Sequence, residues 1–261
     1  MAIPLSVQLY SLREQMKDGK HAQYLKKLAD LGYKGVECAG LYGLSVKDYR
    51  ALVESFGMTV SGVHAGIEPG KEQAAIDQAK GLGLDCSVIA WTPPEGWKTA
   101  DALKKTADTL SAASEALGKA GVSLGYHNHD FEMTRIDGVT ALERMATLVP
   151  KLKFEIDTYW AANFGAEDPA RVVSALKDRA VYLHLKDGPL TKGANMVGVG
   201  SGKQDMKKIV AAADPKVTRW LVVELDACDG DMWTAVEDSY HYLVGNGLAA
   251  GNKPARASNK G

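Results

Sequence analysis

A short apolar segment, Leu152-Lys153-Phe154-Glu155-Ile156-Asp157, has the pattern of a buried β-strand that ends in a possible metal ligand. Three other runs have the same form, and a helix-length stretch separates each run from the next: Val122-Ser123-Leu124-Gly125-Tyr126-His127, Val181-Tyr182-Leu183-His184 and Trp220-Leu221-Val222-Val223-Glu224. If these strands are parallel neighbours, their ends converge on one point. Two imidazoles and two carboxylates at one point form a site for a divalent cation.

The same alternation of strand-like and helix-like segments runs through the whole chain. The strand-like runs are rich in Val, Ile and Leu without polar alternation, which is typical of strands covered on both faces. Amphipathic helical stretches separate them. The predicted strands are residues 5–9, 35–38, 59–64, 86–91, 122–127, 152–157, 181–185 and 221–225, and the predicted helices include residues 22–31, 102–120, 139–148, 168–176, 205–212 and 233–244.

Eight such units without a linker predict an α/β fold, a single-domain (β/α)8 TIM barrel over residues 1–250, followed by a flexible polar tail at 251–261. A doubly wound sheet is the alternative. That fold usually carries a glycine-rich phosphate turn after its first strand. The segment Gln8-Leu9-Tyr10-Ser11-Leu12-Arg13 follows the first predicted strand here and contains no glycine.

Composition narrows the classes of partner. The 261 residues carry a formal net charge of −1, so we expect neither nucleic acid nor a membrane surface as a partner; a homo-oligomer is possible. The three cysteines are not in metal-type spacing. The first residues lack a basic segment and a cleavage site. We therefore expect a cytoplasmic location, unless an export signal has been removed.

Polar side chains at the carboxyl ends of the predicted strands are the candidate site residues, because TIM-barrel active sites lie at that end. We expect His127, Asp157, His184 and Glu224 to bind one divalent ion, with Mn²⁺ the first choice and Mg²⁺, Co²⁺ or Zn²⁺ possible. The candidates for substrate binding are Gln8, Glu37, His64, Trp91, Glu132 and Trp160.

One stretch, His127-Asn128-His129-Asp130-Phe131-Glu132, is especially dense in ligand types. Strand alternation places His127 and His129 on the same face. Glu132 lies beyond the strand, in a loop that could curl back over the site. The fourth ligand is therefore either His127 or Glu132, and we favour His127.

Three residues are candidates for the chemistry itself. Glu224 and His129 are the possible acid/base groups, and Lys186, two residues beyond His184, could hold a substrate oxyanion. A glycine-rich stretch, residues 196–203, lacks the spacing of a P-loop. We expect either a mobile loop over the site, whose backbone N–H groups could meet a phosphate or a sugar hydroxyl, or a plain flexible connection.

At these residues the chain resembles the xylose-isomerase-like TIM-barrel superfamily of sugar phosphate isomerases and epimerases. The resemblance runs from Leu5 to about Val244, and its pieces include Gly125-Tyr126-His127-Asn128-His129-Asp130-Phe131-Glu132, Glu155-Ile156-Asp157-Thr158-Tyr159-Trp160 and His184-Leu185-Lys186-Asp187. It implies one divalent ion held by Glu, Asp, His and Glu from the last four strands. Asp157, His184 and Glu224 match that set, whereas His127 stands where the first Glu is expected.

The resemblance implies a metal-dependent isomerase or epimerase of a small sugar or sugar derivative, working through a metal-stabilised enediolate. The histidine at residue 127 favours an alternative, a lyase or dehydratase that acts on a keto-sugar or a 3-keto-glycoside by β-elimination at the same site. A third hypothesis, from another class, is a sugar-binding barrel without catalytic activity. The predicted ligand set argues against it.

Overall fold

The computed structural model describes residues 2–66 and 70–256. Eight parallel strands form its centre, in the spatial order β3-β2-β1-β8-β7-β6-β5-β4. Their bounds are β1 Leu5–Gln8, β2 Gly35–Cys38, β3 Thr59–Val63, β4 Cys86–Ile89, β5 Ser123–His127, β6 Lys153–Asp157, β7 Ala180–Leu185 and β8 Trp220–Val223.

The sheet closes into a barrel between β3 and β4. A parallel bridge joins His64 to Val88, and the Ala65 N–H donates to the Val88 carbonyl at 2.8 Å. The prediction of a single-domain (β/α)8 barrel is confirmed. The strands match the predicted runs closely because they are buried on both faces, which is what the missing polar alternation indicated.

Helices connect the strands around the outside of the barrel. They are α1 His21–Leu31, α2 Val46–Ser55, α3 Glu72–Leu82, α4 Ala100–Lys119, α5 Ala141–Leu148, the single turn α6 Thr158–Ala161, α7 Pro169–Leu176, α8 Met206–Ala211 and α9 Met232–Gly245. The list of predicted helices did not include α2 and α3. The predicted helix at 139–148 begins only at Ala141, because residues 135–136 and 139–140 pair as a short antiparallel hairpin.

Part of the predicted tail is hydrogen-bonded to the barrel. Asn252 N–H donates to the Gly32 carbonyl at 2.7 Å, and the Tyr240 hydroxyl donates to the Lys253 carbonyl at 2.5 Å. Residues 257–261, the rest of that tail, lie outside the described residues. No helix in ranges 2–66 and 70–256 is long and apolar enough to cross a membrane.

A buried aspartate fixes the glycine-rich stretch beside the end of β7. The Asp187 carboxylate accepts backbone N–H bonds from Gly188 and Gln204 on Oδ1, at 2.8 and 3.1 Å, and from Gly200 and Gly202 on Oδ2, both at 3.0 Å. A Cβ added at Gly202 would collide with that carboxylate. The N–H groups of Gly200 and Gly202, which were expected to meet a substrate, are thus bonded to Asp187.

We predict that Asp187→Asn lowers the free energy of unfolding by about 1–3 kcal/mol, because an amide nitrogen cannot accept the N–H bonds from Gly200 and Gly202. Urea denaturation measures this loss, and hydrogen exchange should be faster at those two amides. Asp178→Asn, on the exposed surface, is the matched control. Equal stability of the two variants would contradict the prediction.

Candidate metal centre and active site

The four residues expected to bind a metal come together at the carboxyl end of the barrel. They lie in, or directly after, four consecutive strands, and we call them the outer group: His127, Asp157, His184 and Glu224. One nitrogen or oxygen atom from each lies within 4.8 Å of the corresponding atoms of the other three. All four side chains are buried. The parallel strands therefore bring distant parts of the sequence to one point.

Local hydrogen bonds hold Asp157 in place. Its Oδ1 accepts the N–H groups of Tyr159 and Trp160, at 3.0 and 2.9 Å, and so caps the single turn α6. The Asn128 side chain bonds the backbone of Asp157, donating to its carbonyl at 3.2 Å and accepting its N–H at 3.0 Å. This leaves Oδ2 as the oxygen that faces the outer group.

Lys186 neutralises much of the negative charge at this end of the barrel. Its Nζ lies 2.9 Å from Asp157 Oδ2, 2.8 Å from Glu224 Oε2 and 2.8 Å from Asp226 Oδ2. Burial by itself would lower the pKa of Lys186, but these carboxylates raise it well above its usual range. The side chain, only 1% exposed, therefore stays an ammonium ion. Asp226 was not among the residues that the sequence selected.

Two more buried carboxylates lie in the barrel interior, and we call Glu37 and Glu155 the inner carboxylates. Glu155 Oε1 lies 2.5 Å from His64 Nε2, 2.9 Å from His127 Nδ1 and 3.1 Å from His184 Nε2. Glu37 Oε2 lies 2.6 Å from His184 Nε2. The sequence prediction considered only the ends of the strands and so did not select Glu155. The sequence did contain an indication of it, because Glu155 is a charged residue inside an apolar strand and lies two positions before Asp157, on the same face.

The charges of this network shift its pKa values in opposite directions. Burial, together with the charge of Glu155, raises the pKa of Glu37 to about 7. Burial alone would lower the pKa of His64, but the inner carboxylates raise it to about 9. Burial lowers the pKa of His127 to about 3, so this imidazole is neutral. Burial alone would raise the pKa of Glu155, but the charge of His184 brings it well below its usual range.

The outer group suits a divalent cation on two grounds. Imidazole nitrogens together with carboxylate oxygens are a donor set that Mn²⁺, Co²⁺ and Zn²⁺ accept. The buried Asp157 Oδ2 receives no hydrogen bond from the described residues, although it forms an ion pair with Lys186. Asp226 lies outside the outer group and also pairs with Lys186. If an ion bound Asp157 and Glu224, the Lys186 ammonium would therefore keep one carboxylate partner.

An aromatic wall borders the outer group. The His129 ring lies 5.2 Å from the His127 ring and is roughly parallel to Trp160 at 6.3 Å. Lys186 Nζ lies 5.8 Å from the Trp160 ring centre. Burial and the nearby ammonium of Lys186 lower the pKa of His129 to about 4, so its imidazole is neutral at pH 7. Gln8 is buried beside Glu37, with which it is in register on β1 and β2.

Glu132 lies outside both metal-compatible groups of the described residues. Its Oε1 accepts the Tyr126 hydroxyl at 2.6 Å, and its Oε2 accepts the His129 N–H at 2.8 Å. Both oxygens are therefore engaged by β5 and the segment that follows it. Of the two alternatives for the fourth ligand, the geometry favours His127.

Trp91 lies apart from the outer group and lines a cavity of about 1010 Å³ that begins at His64. The indole is 54% exposed. Other lining residues come from the end of β4 and from α4, and they include Ile89, Ala112 and Ala113. A large and mostly apolar space therefore adjoins the polar centre of the barrel.

We predict that Asp157→Asn weakens Mn²⁺ binding by at least roughly 100-fold while the barrel stays folded. The asparagine oxygen can still cap α6, but the ion loses an anionic ligand. Asp157→Ala should lose affinity equally and also about 1 kcal/mol of stability, because the cap is removed. Calorimetric titration and thermal melting measure the two effects. Unchanged Mn²⁺ affinity in both variants would contradict the role of Asp157.

We predict that the stability of Glu132→Gln relative to the natural chain rises as the pH rises. Burial raises the pKa of Glu132 from 4.5 to about 8. The stability that its protonated form contributes is complete below pH 4.5 and is lost as the pH rises through 8. A glutamine does not ionise, so its advantage in unfolding free energy should grow between pH 5 and 8.

Urea denaturation across that pH range tests the effect, with the exposed Glu115→Gln as control. A constant difference between Glu132→Gln and the natural chain at all pH values would show that the carboxyl group titrates normally.

Known proteins share this architecture. A sugar phosphate isomerase/epimerase from Parabacteroides distasonis ATCC 8503 is 26% identical, with a TM-score of 0.75 over 93% of this chain and 94% of its own. An L-ribulose 3-epimerase is 14% identical, with a TM-score of 0.71 over 95% of each chain. An IOLI protein with a zinc atom is 14% identical, with a TM-score of 0.68 over 93% of this chain and 97% of its own.

The last two likenesses concern the fold alone. None of the proteins with curated functions matches this chain significantly. The family of xylose isomerase-like TIM barrels matches residues 25–237. The chain therefore belongs to the xylose isomerase-like TIM-barrel family.

Proposed function

We propose that this protein is a divalent-metal-dependent isomerase or epimerase of a small sugar or sugar derivative. The observation that carries the proposal is the convergence of His127, Asp157, His184 and Glu224 within 4.8 Å at the active-site end of the barrel. Structural neighbours that are sugar isomerases and epimerases support the same reaction class. Mn²⁺ is our first expectation for the ion, with Zn²⁺, Co²⁺ and Mg²⁺ as alternatives.

The outer group would hold the ion, which would supply Lewis-acid stabilisation of negative charge on adjacent substrate oxygens. Lys186 adds a second positive charge beside the same carboxylates. Because it stays protonated, it serves as the electrostatic partner of a substrate oxyanion rather than as a base. The aromatic wall of His129 and Trp160 restricts water and offers flat faces to the sugar ring.

Glu224 and His129 are the proposed acid/base groups. Glu224 is ionised, because the charges of Lys186 and His184 outweigh the effect of burial and hold its pKa well below the usual range. His129 is neutral and can accept a proton. Removal of the proton next to a substrate carbonyl, followed by its return to the neighbouring carbon, isomerises the sugar. Return to the opposite face epimerises it.

A second candidate is a lyase or dehydratase acting on a keto-sugar or a 3-keto-glycoside. Two observations favour it. Strand β5 ends in His127 rather than a glutamate, and the next glutamate along the chain, Glu132, is turned towards Tyr126. In addition, the cavity of about 1010 Å³ beside His64 is at the upper end of the roughly 300–1,000 Å³ typical of ligand pockets. This cavity volume is larger than the volume of one monosaccharide.

One experiment in D₂O tests and separates the two candidates. Protein loaded with Mn²⁺ is incubated with free ketoses and with aryl 3-keto-glycosides. We expect the ketose to gain deuterium next to its carbonyl without losing a group, and EDTA should stop this exchange until Mn²⁺ is restored. Release of the aryl alcohol or of water supports the lyase instead. Protein that carries no stoichiometric metal, and whose activity ignores EDTA, would contradict both candidates.

A further inference from the structure

Glu155 is a buried charge that the outer group does not use. It lies two residues before Asp157 on the same face of β6, and therefore roughly 6.6 Å deeper in the barrel. Its exposed fraction is 0%. Its Oε1 faces three imidazoles at 2.5 to 3.1 Å, those of His64, His127 and His184. These contacts offset the cost of burying the carboxylate, and they place Glu155 against both histidines of the outer group.

Both histidines of the outer group lie between two layers of carboxylates. His127 points Nδ1 inward to Glu155 at 2.9 Å, and its Nε2 faces Asp157 Oδ2 at 3.7 Å, beyond hydrogen-bond distance. His184 points Nε2 inward to Glu37 at 2.6 Å and Nδ1 outward to Glu224 at 2.8 Å. Each ring thus has one inner and one outer nitrogen.

An ionised carboxylate can only accept hydrogen bonds, so a nitrogen that bonds to it must carry a proton. A proton on the inner nitrogen leaves the lone pair of a neutral imidazole on the outer nitrogen. On His184 the outer Nδ1 also contacts Glu224 at 2.8 Å, and an ion at the outer group would displace the proton of that nitrogen to solvent. Partners of this kind fix the ring orientation and raise the basicity of histidines that bind metals. His64 contacts both inner carboxylates, with Nε2 2.5 Å from Glu155 and 3.2 Å from Glu37, and it offsets their negative charge.

We propose that Glu155, assisted by Glu37, is a positioning residue that aims His127 Nε2 and His184 Nδ1 at a divalent ion in the outer group. The proposal rests on the metal-dependent function proposed above. It assigns a role to the charge inside β6 and specifies which nitrogen of each ring binds the ion.

The competing use of Glu155 is as a ligand in its own right. Together with His64, His127 and His184 it forms a second cluster whose ligand atoms also lie within 4.8 Å of one another. An ion there would bind to the inner nitrogens. Those nitrogens are already hydrogen-bonded to the inner carboxylates. It would also lie one layer below the strand ends, away from a substrate at the barrel mouth. The outer group is therefore the better location.

The test compares Co²⁺ binding by Glu155→Ala, Glu155→Gln and the natural chain after metal removal. Titrations followed by the visible spectrum of Co²⁺ give the affinity, the stoichiometry and the ligand geometry. We expect Glu155→Ala to bind one ion roughly 10- to 100-fold more weakly, with an altered spectrum. The Co²⁺ affinity of Glu155→Gln should lie between those of Glu155→Ala and the natural chain, because its amide oxygen can still accept a hydrogen bond from His127. Glu115→Gln, a carboxylate on the exposed surface, is the control and should bind Co²⁺ as the natural chain does.

A second measurement needs no variant. Nitrogen–proton correlation spectra of the Zn²⁺-loaded natural chain should show the proton of His127 on Nδ1 and that of His184 on Nε2. This arm keeps the proposal testable if Glu155→Ala does not fold.

The outcomes separate the two proposals. Natural affinity and spectrum in both Glu155 variants, or the opposite tautomers, would overturn the positioning role and leave the proposed function intact. Two Co²⁺ ions in the natural chain and one in Glu155→Ala would make Glu155 a ligand and also overturn it. Absence of Co²⁺ and Zn²⁺ binding by the natural chain would instead contradict the proposed function.

Discussion

Burial of negative charge inside the barrel is the constraint to which the rest of the site responds. Four carboxylates of the barrel centre lie almost wholly out of water, those of Glu37, Glu155, Asp157 and Glu224. Isolated charges there would cost several kcal/mol each. Three cations compensate this negative charge through ion pairs of 2.5 to 3.2 Å: His64, His184 and Lys186. His127 is neutral and adds no positive charge. A divalent cation at the outer group would place further positive charge beside Asp157 and Glu224.

The same carboxyl chemistry also builds the scaffold around the site. Asp157 uses one oxygen to cap α6 and keeps the other for the outer group. Asp187, three residues after His184, uses both oxygens to hold the glycine-rich stretch by backbone N–H groups. These bonds hold the segments at the ends of β6 and β7 in place. A metal or a substrate that binds there would meet side chains that are already oriented, which would reduce the entropic cost of binding.

The carboxylates in the barrel interior form two layers that contact opposite sides of the same imidazoles. The upper layer, Asp157 and Glu224, faces the mouth where substrate and ion are expected. The lower layer, the inner carboxylates, contacts the opposite side of the same imidazoles. Lys186 and Asp226 supply compensating charge at the mouth, and His64 supplies it below. His64 also lines the mostly apolar cavity that reaches Trp91, so this cavity adjoins the lower layer.

The sequence by itself determined the barrel, since eight buried strands and the intervening helices follow from local periodicity, and parallel strands have a defined carboxyl end. It therefore also determined that His127, Asp157, His184 and Glu224 are close together. Only the tertiary structure decided the partners of those groups. Glu155 and His64 are 91 residues apart, and His184 and Glu37 are 147 apart. No local pattern encodes such contacts, because they depend on strand register and barrel closure. For the same reason the turn of Glu132 towards Tyr126, and the bonding of the glycine-rich stretch to Asp187, were visible only in three dimensions.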